Sequence, residues 1–248
     1  MRLPRFVICA LALSAAALLP PAVSLAGALS VSPVRVHLSA DERTAAVTLF
    51  NGGGDSTLVQ VEALLWEQAD GDDRLTPTRE VIVSPAVFTL PAGKSQLVRL
   101  SLRRDPDPNR ELSYRLILQE VPSAQEVQPS GLRVALRMSL PIFVAPRVEA
   151  APELEWNATC CEGEALVLEA TNRGTRHARL TDFAVSVPDQ AEPVATQQLA
   201  AYILPGQSRR WVLETTLPAG SGLAAARLAL HGHTEDGPVT AEIPVSGP

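Results

Sequence analysis

Cysteine, histidine, lysine and aromatic side chains are all scarce in this chain. Of 248 residues three are Cys, four are His and 4% are aromatic, and Lys94 stands alone beside twenty arginines, which reads as genomic composition and not as a site. A basic excess is also missing. The net charge is −6 and the isoelectric point about 5.3, the wrong sign for a partner held through phosphate contacts, so no nucleic-acid partner is expected. No Gly-x-Ser-x-Gly elbow, phosphate loop or His-Glu-x-x-His motif occurs, and the carboxylates are scattered, which gives no support for paired acid–base work. His231 and His233 alternate and could face a metal together. With only His37 and His177 besides, the favoured reading is two solvent-facing strand residues. The chain is expected not to be an enzyme and to carry no metal site or cofactor. Cys9 lies in the leading apolar run, and Cys160 and Cys161 are adjacent, so they cannot staple distant parts of a fold. A vicinal disulfide, free thiols and a bridge to another chain remain open for them. Helical periodicity is absent beyond the leading run, and 21 prolines argue against long helices.

That leading run reads as an export signal. Arg2 and Arg5 precede fourteen almost wholly apolar residues, Phe6 to Leu19, which Pro20-Pro21 ends. This is short of the roughly 20 residues a spanning helix needs. Cleavage is expected after Ala26, with Ala28 as the second choice; the alternative is a retained anchor. Removing residues 1–26 leaves 19 basic against 27 acidic residues, a net charge of −8. No later run approaches membrane length, so no membrane insertion is expected after cleavage.

The rest alternates in strands. Leu29 to Leu38, Thr44 to Phe50, Leu58 to Trp66, Ser84 to Leu90, Gln96 to Leu102, Leu112 to Val121 and Leu132 to Val144 place apolar residues at every second position. Turn clusters separate them, among them Asn51–Asp55, the polar stretch Asp70–Arg74 and Pro91-Ala92-Gly93. Seven strands suit an immunoglobulin-like sandwich. After the linker at Pro146–Pro152 the pattern continues more weakly through 165–170, 178–187, 194–204, 209–216, 224–230 and 239–245. The expected fold is all-β: two immunoglobulin-like β-sandwich domains, 27–146 and 147–248, joined by a short Pro-flanked linker.

Leu132 to Val144 is the longest of these segments. Its thirteen residues, at about 3.3 Å each, make a ribbon of about 43 Å. Leu132, Val134, Leu136, Met138, Leu140 and Ile142 share one side, while Arg133, Ala135, Arg137, Ser139 and Pro141 share the other. Either one face packs into the domain's own core, or part of the strand serves as an edge template for another chain.

The order of motifs favours the template. Ala28-Leu29-Ser30-Val31-Ser32-Pro33-Val34-Arg35, then Leu90-Pro91-Ala92-Gly93 before Val98-Arg99-Leu100-Ser101, then Tyr114 to Pro122, and finally Pro141-Ile142-Phe143-Val144-Ala145-Pro146 resemble the periplasmic pilus-assembly chaperones of the chaperone–usher pathway, in the archaic branch associated with spore-coat-U-like subunits. The resemblance covers the first domain. It implies a periplasmic chaperone whose partners are pilin-like subunits and an outer-membrane usher. The chaperone lends its long strand to a subunit that lacks one, with Leu132, Val134, Leu136 and Met138 as the donor residues. It further implies that a basic pair holds the subunit's C-terminal carboxylate. Arg35 matches the first member, but Pro141 stands where the second, a lysine, is usual. Arg115 is expected to take that part, with Arg137 as the weaker choice. Ala145 likewise replaces an arginine that would pair Glu120, so the domains are expected to be oriented by other contacts. Ser84-Pro85 matches a cis peptide of the family. A different class remains: an exported two-domain immunoglobulin-like adhesion or structural module without a pilin client.

Overall fold

The computed structural model describes residues 29–122, 135–160, 165–188, 192–215 and 227–246. Among the described residues all regular structure is strand. The first ten strands are β1 (Leu29–Ser32), β2 (Val36–Leu38), β3 (Thr44–Asn51), β4 (Thr57–Ala69), β5 (Asp72–Pro77), β6 (Val81–Ser84), β7 (Val87–Leu90), β8 (Ser95–Leu102), β9 (Leu112–Glu120) and β10 (Arg137–Val144). They build two facing sheets, β1-β3-β8-β6 and β2-β10-β9-β4-β5, with β7 also on β4. Period-2 alternation sends Val47 and Leu49, Val98 and Leu100, Leu116 and Leu118, and Leu140, Ile142 and Val144 into the shared core.

Three expected boundaries shift. Leu29 to Leu38 is two strands: β1 pairs β3 in one sheet, and after Pro33 to Arg35 the chain enters the other as β2, parallel to β10. Proline has no N–H to continue a ladder. The segment 84–90 divides for the same reason. β6 ends on β8, and β7 pairs β4 in the opposite sheet. Both Ser32–Pro33 and Ser84–Pro85 are cis, the second as the resemblance implies. The polar turn at 70–74 is tighter than its composition suggests: Asp70 and Gly71, at φ 56° and 86°, close a two-residue hairpin, and Asp72 already pairs Ala69.

The remaining strands are β11 (Leu154–Cys160), β12 (Ala165–Asn172), β13 (Ala178–Ser186), β14 (Ala195–Ile203), β15 (Ser208–Glu214), β16 (Arg227–Thr234) and β17 (Gly237–Ser246). Their order is β14-β13-β16-β17-β11-β12-β15, around a second core that includes Trp156, Leu168, Phe183, Leu230 and Ile243. β11 was not expected, although Leu154, Trp156 and Ala158 alternate in it. The architecture is thus all-β with two immunoglobulin-like sandwiches. Between them, Trp66, Phe143 and Leu204 form a small third cluster, with Leu75 and Tyr202 against it. The linker is pinned to the β12–β13 turn, where Thr175 N and Arg173 N donate to the Ala151 and Glu153 carbonyls.

Candidate functional site

Two features of the sheet β2-β10-β9-β4-β5 stand out: an open edge and a basic outer face. Antiparallel pairing holds β10 to β9 along its full length, Arg137 opposite Gln119 through Val144 opposite Leu112. On its other side β2 covers only Ile142 to Val144. From Arg137 to Pro141 that edge has no strand neighbour among the described residues, so its outward backbone groups are free to pair with another strand. The apolar row grades along it. Leu140 and Ile142 are buried in the core, whereas Leu136 and Met138 are half-buried and pack only against its margin. Leu132 and Val134 lie outside the described residues. Glu120 clips the start of the row: its N–H donates to the Leu136 carbonyl and its Oε2 accepts from Leu136 N at 3.0 Å.

The outer face of the same sheet points at the second sandwich. Even residues of β4 beyond Ala63 and odd residues of β9 and β10 share it, which brings Trp66, Gln68, Arg115, Pro141 and Phe143 together. Arg115 lies directly opposite Pro141 on one side and Leu64 on the other. Its guanidinium carbon sits 3.5 Å from the Trp66 ring centroid and 5.5 Å from that of Tyr202, a stacked cation–π arrangement. The side chain is 14% exposed, and its one ion-pair partner among the described residues, Asp73, is 4.0 Å away. Burial, only partly offset by Asp73 and Tyr202, lowers its pKa from the usual arginine value, yet a guanidinium stays charged at any pH of interest. Arg35, just before β2, lies 6.0 Å from the Tyr202 centroid. Both sequence-predicted cations therefore flank one phenol of the second domain. Arg35 differs in having an internal partner, Glu235 Oε2 at 2.6 Å. Burial pulls the Arg35 pKa down, but the Glu235 bond and charge outweigh it and the net shift is upward. Arg137 is exposed and stands across from Gln119, at the far end of β10 from Phe143.

What orients the domains was not legible beforehand. His177, 3% exposed, is hydrogen-bonded through Nδ1 to the Glu111 carboxylate at 2.7 Å and through Nε2 to that of Glu235 at 3.0 Å. It stacks on Phe143 with centroids 3.6 Å apart and planes 7° off parallel. Glu235 thus ties His177 and Arg35 together. On the far side Gln68 donates to the Tyr202 carbonyl and to Asp73, and accepts from Leu204 N. Buried polar groups that are paired in this way fix geometry. His233 instead bonds Asp182 at 2.8 Å, and His231 is exposed beside it; no cluster of three or more metal-ligating residues exists among the described residues. Cys160 ends β11, and Cys161 lies outside the described residues.

Residues 28–149 match the family described as pili and flagellar-assembly chaperone, PapD N-terminal domain. A search of curated proteins returns no match. Among solved structures, a chain of the CsuC–CsuE chaperone–tip adhesion subunit pre-assembly complex from archaic chaperone–usher Csu pili of Acinetobacter baumannii is similar at 22% identity and TM-score 0.66, over 88% of this chain and 99% of that one. The E. coli chaperone DraB gives 21% and 0.57, over 87% and 96%. The Salmonella enterica SafA pilin–SafB chaperone complex gives 18% and 0.58, over 88% and 97%. At these identities the likeness is one of fold. Residues 28–149 thus belong to the family of pilus-assembly chaperones, which are not enzymes, and the chain shares the fold of such chaperones along most of its length.

Proposed function

We propose that this chaperone binds incomplete pilin-like subunits by donor-strand complementation, stabilises them in the periplasm and delivers them to an outer-membrane usher. The observation that carries the reading is the β10 edge, free from Arg137 to Pro141 and graded from core residues to the half-buried Leu136 and Met138. Backbone groups of such an edge continue a ladder in a subunit that lacks a strand, while the apolar row fills its groove. Leu132, Val134, Leu136 and Met138 are the donors. Fully burying four such side chains gives about 6–12 kcal/mol before association costs are subtracted. Arg35 and Arg115 anchor the subunit's terminal carboxylate through charge-assisted bonds. Residues 1–26 direct export and are removed; 27–146 lend the strand, and 147–248 close the cleft. The archaic branch fits the likeness to the Csu chaperone complex.

The test is co-expression with a pilin-like subunit of its own secretion system, with and without the chaperone. The expected result is a one-to-one complex and loss of the subunit when the chaperone is omitted. A subunit that accumulates folded and unbound would refute the reading and favour an exported structural module instead.

A further inference from the structure

Arg179 belongs to the second domain, and the anchor described above does not use it. It stands on β13 directly across from Tyr202 on β14, with its guanidinium carbon 5.8 Å from the Tyr202 centroid. Arg35 at 6.0 Å and Arg115 at 5.5 Å address the same ring. Three cations from separate strands or strand ends therefore surround one phenol. The carboxylates at hand do not match them. Glu235 is committed to Arg35 and His177, and Asp73 sits closer to Arg209, at 3.1 Å, than to Arg115. Arg179 has no ion pair among the described residues, and its Nε is buried without a hydrogen-bond partner. That buried N–H is a donor left open for an acceptor, and like charges gathered at one point raise the local affinity for an anion. A guanidinium presents paired N–H groups that fit a carboxylate.

We propose that Arg179 is a third arm of the carboxylate anchor, so that the terminal carboxylate of a bound extended chain is gripped by both domains at Tyr202. This inference rests on the anchor reading given under Proposed function. Its consequence is that capture depends on the relative placement of the domains, because one arm moves with the second.

The probe is an acetylated octapeptide of alternating valine and threonine with a free C-terminal carboxylate, compared with its C-terminal amide. Binding to the full exported chain is measured by calorimetry, and the arginine Nε–Hε signals are followed by NMR. The wild-type protein should prefer the carboxylate form. Arg179→Ala should cut that preference about ten-fold, with amide binding and melting temperature unchanged, and Arg179→Lys should restore part of it. The Arg179 Hε signal should move with the acid and not with the amide. If Arg179→Ala keeps the full preference while Arg35→Ala and Arg115→Ala lose it, Arg179 is not an arm and the two-residue anchor stands. If the wild type shows no preference, or binds neither peptide, the anchor reading fails and this inference with it. Should Arg179→Ala unfold, Arg179→Lys and the wild-type Hε shift decide the matter: no shift overturns the proposal.

Discussion

Replacing Arg115 with alanine separates a binding role from a packing role. The side chain covers Trp66 at 3.5 Å, and that contact, partly shielded from water, is worth about 1–2 kcal/mol. Its pairing with Asp73 is long at 4.0 Å, and Asp73 keeps Arg209 at 3.1 Å, so no carboxylate is orphaned by the change. The fold should therefore lose about 1–2 kcal/mol, a melting shift of a few degrees. Capture should lose far more. Deleting one partner of a desolvated, hydrogen-bonded charge pair costs about 2–5 kcal/mol, which is a weakening of roughly 30-fold to several thousand-fold. Arg115→Lys keeps the charge but not the stacked fork and should fall between. The assay is thermal melting of the free chaperone beside recovery of a co-expressed pilin-like subunit at equal expression. Normal recovery by Arg115→Ala would refute the anchor assignment. A collapse of the melting temperature would show Arg115 to be a packing residue. If Arg137→Ala abolishes recovery while Arg115→Ala is silent, the anchor lies on the donor strand.

Met138→Asp should abolish subunit capture at a stability cost near 1 kcal/mol, because the side chain is half-buried in the free protein and a charge in the subunit's groove has no partner; an unfolded variant in circular dichroism would instead make the row part of the chaperone's own core. Glu235→Gln weakens the internal competitor of Arg35, so affinity for a free carboxylate should rise several-fold in titration calorimetry; unchanged or weaker affinity would mean that Glu235 positions Arg35 and does not compete. Tyr114 is buried and donates to Glu80 at 2.7 Å, and burial first, then that bond, push its pKa above 10. The folded state holds this proton more tightly than the unfolded chain, so the stabilisation is complete below pH 10 and lost as the pH rises past it. Tyr114→Phe should flatten that alkaline decline in denaturant-measured stability.

Alternation carried most of the fold into view, because a strand with one face in a core has a period of two whatever it pairs with. The same signal lies in Leu154, Trp156 and Ala158 of β11, where the adjoining proline-flanked linker masks it. The sheet switches at Pro33 and Pro85 were hidden for a different reason: composition shows that a ladder must stop, but not that the chain resumes in the facing sheet. The motifs around Arg35 and Arg115 point to the cleft in which both residues lie, beside Tyr202. Arg179, His177 and Tyr202 carry no such motif, since each is a single residue whose meaning comes from contacts outside its own segment: Arg179 with Tyr202, His177 with Glu111 and Tyr202 with Arg35.

On the proposed reading, the charge missing at Pro141 is made good from the neighbouring strand. Opposed residues of an antiparallel pair project to the same face with Cβ atoms about 4.5–5.5 Å apart. Arg115 opposes Pro141, so a cation on β9 reaches the cleft from one strand over. The exchange has a mechanical consequence. A lysine on β10 would sit on the lending strand itself, whereas Arg115 is held by Trp66, within the cluster that Leu204 and Tyr202 of the second domain complete. On the proposed reading, carboxylate capture then reports on domain docking as well as on the donor strand. Loosening the docking through His177→Ala, which removes the links to Glu111 and Glu235, should weaken capture of the carboxylate peptide more than that of its amide. Equal losses for the two would show that docking and anchoring are independent.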